Sequence, residues 1–187
     1  MQSTAVPKRA SSARLLIPLL IGAAVSLGLG IYGNEHDPTG RSIFSLVFTK
    51  TLNMKAWFAT AAGVIAIFQV ASALSIYRVV HFPRTVPRWL PLVHRISGAV
   101  VFLLVVPVAY HCLWALGFQD YSTRVLVHSI AGCFFFGAFA AKVVVVEWKS
   151  LPRMALPVAG GLLFSAFVVV WYTSALWFFR EFGFPSF

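Results

Sequence analysis

Three histidines, His94, His111 and His128, lie in or at the edges of the most hydrophobic hairpin of the chain. Ionisable side chains are costly at membrane depth, so those found there usually face the interior of a helix bundle and have a function. Imidazole is the usual protein ligand of haem iron. The histidines therefore predict a haem protein. The chain has no Cys-x-x-Cys-His motif for covalent attachment, so the haem type expected is haem b.

The spacing of the histidines separates an outer pair from an inner residue. His111 follows His94 by seventeen residues (111 − 94), which is about 25 Å along a helix, so these two cannot bind one iron. His111 and His128 each lie about 6–10 Å inside the same membrane boundary if their helices are antiparallel neighbours. We expect His111 and His128 to be the two axial ligands of one haem.

A second haem near the opposite boundary is a further candidate, with His94 and His81 as ligands. His81 lies in a proline-rich connector and is equally typical of a solvated interfacial residue. Arg95 is a candidate for holding haem propionates or a lipid phosphate, because a guanidinium binds such oxygens in a bidentate manner. Lys142 either extends to the headgroups or pairs with a propionate. His36, in the loop after the first helix, is a replacement ligand or a docking residue.

Two glycines recur at a fixed distance from two of the histidines. Gly98 follows His94 by four residues and Gly132 follows His128 by four, so each glycine lies one turn away on the same helix face. A missing side chain there leaves room for a flat macrocycle beside the imidazole. Close helix packing is the alternative, because small residues commonly line contacts between membrane helices.

The chain has two cysteines, and both fall in apolar helical stretches. Cys112 is adjacent to His111, and Cys133 lies one turn beyond His128. Free cysteines in such surroundings pack as small hydrophobic residues. Packing is therefore the role we expect for both, with a disulfide or a metal pair as the alternative.

Composition places these residues in a membrane. The 187 residues are 59% hydrophobic and 11% charged, whereas soluble domains have about 25% charged residues. Five apolar stretches, at about 15–32, 57–77, 92–116, 125–146 and 156–179, approach the ~20 residues that cross a bilayer as a helix. They lack the alternation typical of a membrane barrel. The sequence predicts an all-α, polytopic bundle of five transmembrane helices, with residues 1–187 forming a single membrane domain.

The basic residues predict the orientation of the bundle, because cytoplasmic loops carry an excess of lysine and arginine. An N-terminus in the cytoplasm puts nine basic residues on that side: Lys8, Arg9, Arg14, Arg78, Arg84, Arg88, Arg95, Lys149 and Arg153. It puts five on the other side: Arg41, Lys50, Lys55, Arg124 and Arg180. The net charge of +10 is therefore interpreted as a topology signal and a preference for anionic lipid. The charges form no basic stripe, so no nucleic-acid partner is expected.

Several segments carry a family resemblance. Residues 107–112 (Pro-Val-Ala-Tyr-His-Cys), 128–133 (His-Ser-Ile-Ala-Gly-Cys) and 94–98 (His-Arg-Ile-Ser-Gly) resemble small bacterial integral-membrane cytochromes b, in the company of cytochrome b561 and ferric-reductase transmembrane domains. Together with residues 34–40 and 173–179, the chain resembles more closely an uncharacterised family of five-helix bacterial membrane proteins, some of which sit beside Rieske-type proteins. The wider cytochromes relay electrons through two histidine pairs, whereas the inner pair is incomplete here.

The resemblance implies an electron-transfer subunit of the bacterial inner membrane, without an active site of its own. The subunit would pass electrons between a quinol or an inner donor and an outer redox protein such as a Rieske protein or cytochrome c, within a hetero-oligomeric respiratory complex. A cofactor-free structural subunit of a respiratory or photosynthetic complex is the main alternative. A small transporter is a weaker one, because transporters are expected to have broken helices and polar residues at the midplane.

Overall fold

The computed structural model describes residues 12–42, 44–148 and 151–184, and within these ranges all regular structure is helical. The helices are α1 (Leu16–Glu35), α2 (Thr51–Ile76), α3 (Leu90–His111), α4 (Thr123–Glu147), α5 (Ala155–Trp171) and α6 (Trp177–Phe182). A π-helical turn, Cys112–Leu116, extends α3, and a second one, Tyr172–Leu176, joins α5 to α6.

Five helical segments are long and apolar enough to cross a membrane: Leu16–Glu35, Thr51–Ile76, Leu90–Leu116, Thr123–Glu147 and Ala155–Phe182. Large apolar side chains on their outer faces, such as Leu20, Val64 and Leu103, are 66%, 65% and 69% exposed, as expected for surfaces that contact lipid acyl chains. For the described residues, the predicted all-α class is confirmed, and so is the prediction of five helices long and apolar enough to cross a membrane.

The largest difference from the predicted boundaries is the start of α2. Thr51 is its first residue, six positions before the predicted residue 57, because polar residues interrupt the apolar run there without interrupting the helix. Thr51 Oγ1 donates to the carbonyl of Phe44 at 3.2 Å, and Asn53 and Met54 are buried. Lys55 therefore lies on a helix and not in the loop. Of the residues that entered the orientation count, Lys8, Arg9 and Lys149 lie outside the described ranges.

The helices pack in the order α1, α4, α5, α2, α3. We call the end of the bundle where α1 begins proximal and the end where α1 finishes distal. Within the described residues, the backbones of α3 and α4 do not approach each other as closely as those of the packed helix pairs do. They meet through side chains, of which Phe102 and Phe139 are stacked with ring centroids 4.2 Å apart. A space bridged by side chains thus separates α3 from α4.

Glycine allows α1 and α4 to approach closely. A side chain on Gly137 would collide with Ser26 and with the carbonyl of Gly22, and a Cβ on Gly22 would lie 2.8 Å from the carbonyl oxygen of Gly137. Small residues at such crossings let helix backbones meet in a bilayer, where no hydrophobic effect drives the helices together. The position of α1 in the bundle therefore depends on the absence of side chains at this crossing.

We predict that Gly137→Leu lowers the free energy of unfolding in detergent by about 1–3 kcal/mol, because the added side chain separates α1 from α4. Gly161→Leu is the matched control, since Gly161 lies on α5 with open space around it. Thermal unfolding of both variants checks this prediction. Equal stability of the two would contradict the close crossing.

Candidate functional site

The distal end of the space between α3 and α4 contains His111, Cys112 and His128. The thiol of Cys112 lies within interaction range of both imidazoles, and His111 is only 7% exposed. The structure thus brings together the two histidines predicted to be a pair. Cys112 has a polar environment, so apolar packing is not its whole role.

The contact between Phe102 and Phe139 allows the depths of His111 and His128 to be compared. The stacked rings of Phe102 and Phe139 connect α3 to α4. His111 is nine residues from Phe102 (111 − 102) and His128 is eleven residues from Phe139 (139 − 128), both toward the distal end. At the helical rise, these separations differ by about 3 Å.

The contact with Thr173 indicates which nitrogen of His128 carries the proton. Thr173 Oγ1 donates its single proton to the carbonyl of Val169 at 2.7 Å and lies 3.1 Å from Nδ1 of His128. With the hydroxyl proton assigned to this carbonyl, the oxygen accepts from the imidazole, and the proton of neutral His128 is assigned to Nδ1. Nε2 keeps its lone pair, as a metal-binding imidazole requires.

His111 has a buried nitrogen without a partner. Among the described residues, its Nδ1 atom is the one buried side-chain polar atom that makes no hydrogen bond. Such an atom costs about 1–3 kcal/mol unless a ligand, ion or water completes its interactions. The packing of His111 is therefore incomplete without a further group.

Both π-helical turns adjoin this cluster. Cys112–Leu116 begins directly after His111, and Tyr172–Leu176 contains Thr173. π-helical turns are rare and occur frequently at functional sites, because they reorient side chains and leave carbonyls without their usual helical partner. Arg124 donates to the carbonyl of Thr173 at 2.6 Å.

Two cations lie at the distal cluster that sequence reasoning did not assign to it. Arg124 lies one helical turn before His128 on α4. Its guanidinium carbon is 3.8 Å from the ring centroid of Trp177. Lys55 lies near enough to act electrostatically on Cys112. The four-residue spacing of Arg124 and His128 in the sequence could have indicated that Arg124 lies near the distal cluster. No feature of the sequence indicated the same for Lys55, which was predicted to be in the loop before the second helix.

The two glycines near the histidines have different surroundings. A Cβ on Gly132 would meet no atom within 4 Å, so there is open space beside it, as the macrocycle hypothesis requires. A Cβ on Gly98 would lie 3.2 Å from Oε1 of Gln69 on α2. The small size of Gly98 is therefore explained by helix packing.

His94 lies in a second polar cluster, at the proximal end. Its Nδ1 is 2.7 Å from Ser72 Oγ, and Ser72 donates to the carbonyl of Phe68 at 2.7 Å. Assigning the Ser72 proton to its own helix, as for Thr173, puts the proton of neutral His94 on Nδ1 and leaves the lone pair on Nε2. Lys142 of α4 lies near enough to act electrostatically on His94.

The structure does not bring the other predicted residues of the proximal side to His94. His81 and Arg95 are exposed, and the described residues supply neither with a hydrogen bond or an ion pair. Arg78 holds the connector that contains His81 through a 2.8 Å hydrogen bond to the carbonyl of Arg84. The solvated interpretation of His81 therefore fits its surroundings better than ligation does.

His36 closes the distal corner of the fold. Its Nε2 is 3.2 Å from the carbonyl of Trp114, and its ring stacks on Tyr32 at 5.1 Å. The amides of Thr39 and Gly40 bond to the carbonyls of Trp114 and Ala115 in the π-helical turn. His36 thus satisfies backbone groups at the end of α3.

Cys112 and Cys133 are free thiols in different environments. Cys133 faces α1, where a Cβ built on Gly30 would lie 4.0 Å from its sulfur. The packing interpretation therefore suits Cys133. Within the described residues, no group of three or more histidine, cysteine or acidic side chains has the geometry to hold a bare metal ion.

We predict that His94 and His128 are Nδ1-protonated when neutral, because each faces a hydroxyl that we assign as donating to its own helix. Nitrogen-15 NMR of histidine-labelled protein prepared without haem distinguishes protonated from unprotonated ring nitrogens. Ser72→Ala and Thr173→Val should each return one histidine to a mixture of tautomers, with no change at the other. An Nε2-protonated His128 in the wild type would contradict the assignment.

The protein is thus a bundle of five helices long enough to cross a membrane. It has a polar cluster at each end of the space between α3 and α4. Residues 15–186 match the model of a family of unknown function, DUF6529, and the chain belongs to that family. No curated protein and no solved structure matches the chain.

Proposed function

We propose that this protein binds one haem b between His111 and His128 and serves as an electron-transfer subunit of a membrane complex. The observation that carries the proposal is the position of two imidazoles at similar depth on α3 and α4, with Nδ1 of His128 3.1 Å from Thr173 Oγ1, so that Nε2 is the nitrogen left for a metal. The partnerless Nδ1 of His111 and the open space at Gly132 also support it.

Each residue of the cluster has a defined part in this proposal. His111 and His128 would hold the iron, and Thr173 orients His128 by accepting from Nδ1. Arg124 and Lys55 supply positive charge at the distal end, where carboxylates of a bound haem would be neutralised. Bound haem would supply a reversible one-electron couple. Its potential would be set by the two imidazoles and their hydrogen bonds.

The phenylalanines exclude water between the two polar clusters. Phe102, Phe136 and Phe139 are in ring contact at 4.2–6.3 Å, and Phe135 joins them to Phe167 of α5. A dry environment raises the cost of charge, so it shifts the potential of any bound redox group. Aromatic rings therefore lie between the distal cluster and the proximal one.

The proposed partners and location follow from the same interpretation. The apolar helices contact lipid, and we infer a place in the bacterial inner membrane with the N-terminus in the cytoplasm. The distal cluster then faces an outer redox protein, such as a Rieske protein or cytochrome c, within a larger complex. A second haem held by His94 and His81 is not supported, because His81 is exposed.

We predict that the purified protein contains non-covalent haem b with a low-spin, bis-histidine spectrum. The pyridine haemochrome assay and the absorption spectrum measure this. His111→Ala and His128→Ala should each remove the haem, whereas Cys112→Ala should keep it because the thiol is not a ligand.

His36→Ala and His81→Ala are the matched controls for these variants, since neither side chain lies in the distal cluster. Both should retain full haem content. Loss of haem in Cys112→Ala with retention in His128→Ala would assign the ligands differently. A haem-free protein in its assembled complex would leave the cofactor-free structural subunit as the function.

We predict that the distal loop, residues 117–123, lies on the outer side of the membrane. Single cysteines placed in the 117–123 loop, in a Cys112→Ala and Cys133→Ala background, should react with a membrane-impermeant maleimide in intact cells. Cysteines in the 82–88 connector should be protected. The reverse pattern would move the proposed redox partner to the cytoplasm.

A further inference from the structure

A groove on the lipid-facing surface of the bundle runs along the line where α4 packs against α5. It has a volume of about 350 Å³, within the range of pockets that hold small molecules. Ser165 supplies the single hydroxyl of the lining, and the other lining residues are apolar. The lining includes Val127, Ala131 and Phe134 of α4 and Leu162, Ser165 and Val169 of α5. Leu162 and Phe134 are 48% and 45% exposed, so the groove is open to the surrounding lipid.

The distal end of the groove is marked by a hydrogen bond between the two helical segments. Arg124 lies one turn distal to Val127 and donates to the carbonyl of Thr173 at 2.6 Å. Thr173 lies one turn distal to Val169, and its Oγ1 is 2.7 Å from the carbonyl oxygen of Val169. The guanidinium therefore lies where the groove reaches the distal end of α4, which begins at Thr123.

The length of the groove matches one leaflet of a bilayer. Phe134 is ten residues from Arg124 (134 − 124) and Leu162 is eleven residues from Thr173 (173 − 162), so the groove extends about 15–17 Å from the guanidinium at the helical rise. The hydrocarbon core of a bilayer is about 30 Å thick. A transmembrane helix of a partner would need a groove across the whole core, whereas an acyl chain occupies one leaflet. The groove therefore fits an acyl chain.

The cation at the distal end of the groove has N–H donors to spare. A guanidinium has five of them, and the described residues give that of Arg124 one acceptor, the Thr173 carbonyl, together with the ring of Trp177 at 3.8 Å. No carboxylate of these residues forms an ion pair with it. A phosphate accepts from such a guanidinium in a bidentate manner. A phosphate site at the end of an apolar groove is complementary to a phospholipid.

We propose that Arg124 binds the phosphate of an anionic phospholipid and that one acyl chain of this lipid lies in the groove between α4 and α5. A net negative lipid is favoured, because the ammonium of a zwitterionic headgroup competes with the guanidinium for the phosphate. The binding does not rest on the proposed haem. Of the two cations assigned to haem carboxylates above, Lys55 is then the one that stays available.

The test is native mass spectrometry of the full chain, freed of co-purified lipid by detergent exchange and titrated with dioleoyl phosphatidylglycerol. Arg124→Met should weaken the binding of one lipid molecule by about tenfold or more, because charge-assisted hydrogen bonds to the phosphate are lost. Ser165→Phe leaves Arg124 in place and fills the groove with a ring. It should weaken the same binding event by about tenfold, because the chain can no longer enter.

Each variant has a matched control. Arg180→Met removes a positive charge from an exposed position at the same end of the bundle, and Val64→Phe adds a ring to the lipid-facing surface of α2, outside the groove. Both should bind as wild type does. Dioleoyl phosphatidylcholine, with the same chains and no net charge, should bind to wild type about fivefold more weakly than phosphatidylglycerol. Glycerol phosphate, which has no acyl chain, should not displace the lipid.

Equal affinity of wild type and Arg124→Met, or of the two lipids, would overturn the inference. Displacement of the lipid by glycerol phosphate would also overturn it, since the site would then bind a soluble phosphate. Weaker binding in Arg124→Met with no change in Ser165→Phe contradicts the acyl-chain groove, and an equal loss in Arg180→Met contradicts a defined site. A haem-free protein whose lipid binding depends on Arg124 and Ser165 contradicts the proposed function and supports this inference.

Discussion

A hydroxyl whose single proton already goes to a helix carbonyl can only accept a further hydrogen bond, and the chemistry of both polar clusters depends on this constraint. We assign this arrangement to Thr173 facing His128 and to Ser72 facing His94. Serine and threonine commonly bond to a carbonyl one turn earlier in membrane helices. Here that local bond has a consequence on a neighbouring helix, because it leaves each imidazole with an unprotonated Nε2.

The second requirement is space between α3 and α4, and the packing of the other helices provides it. α2 and α5 contact each other, with Trp171 Nε1 donating to Thr60 Oγ1 at 3.1 Å. α3 packs against α2 and α4 packs against α5, so the separation of α3 from α4 is set by that pair. α1 then covers α4 and the distal end of the space, through the glycine crossing and the corner at His36.

The number of helices and the depth of His111 and His128 could be predicted from the sequence, because both depend only on the helical rise and the thickness of a bilayer. The order of the helices in the bundle could not, since these segments are apolar on all sides and lack a polar face that would indicate their orientation. The start of α2 was missed because Thr51, Asn53 and Lys55 lower the hydropathy of a continuous helix. The roles of Ser72 and Thr173 were hidden for a related reason. A single hydroxyl in an apolar run predicts only a bond to its own helix, and its contact with a histidine is tertiary.

The central claim is that His111 and His128 are the two axial ligands of one iron, and electron–nuclear double resonance on the oxidised protein tests it most directly. Protein labelled with nitrogen-15 histidine should show a low-spin ferric signal coupled to two imidazole nitrogens. The His128→Ala variant should lose that signal, whereas His94→Ala should keep it. Coupling to a single histidine nitrogen, or a two-histidine signal that survives in His128→Ala, would contradict the account.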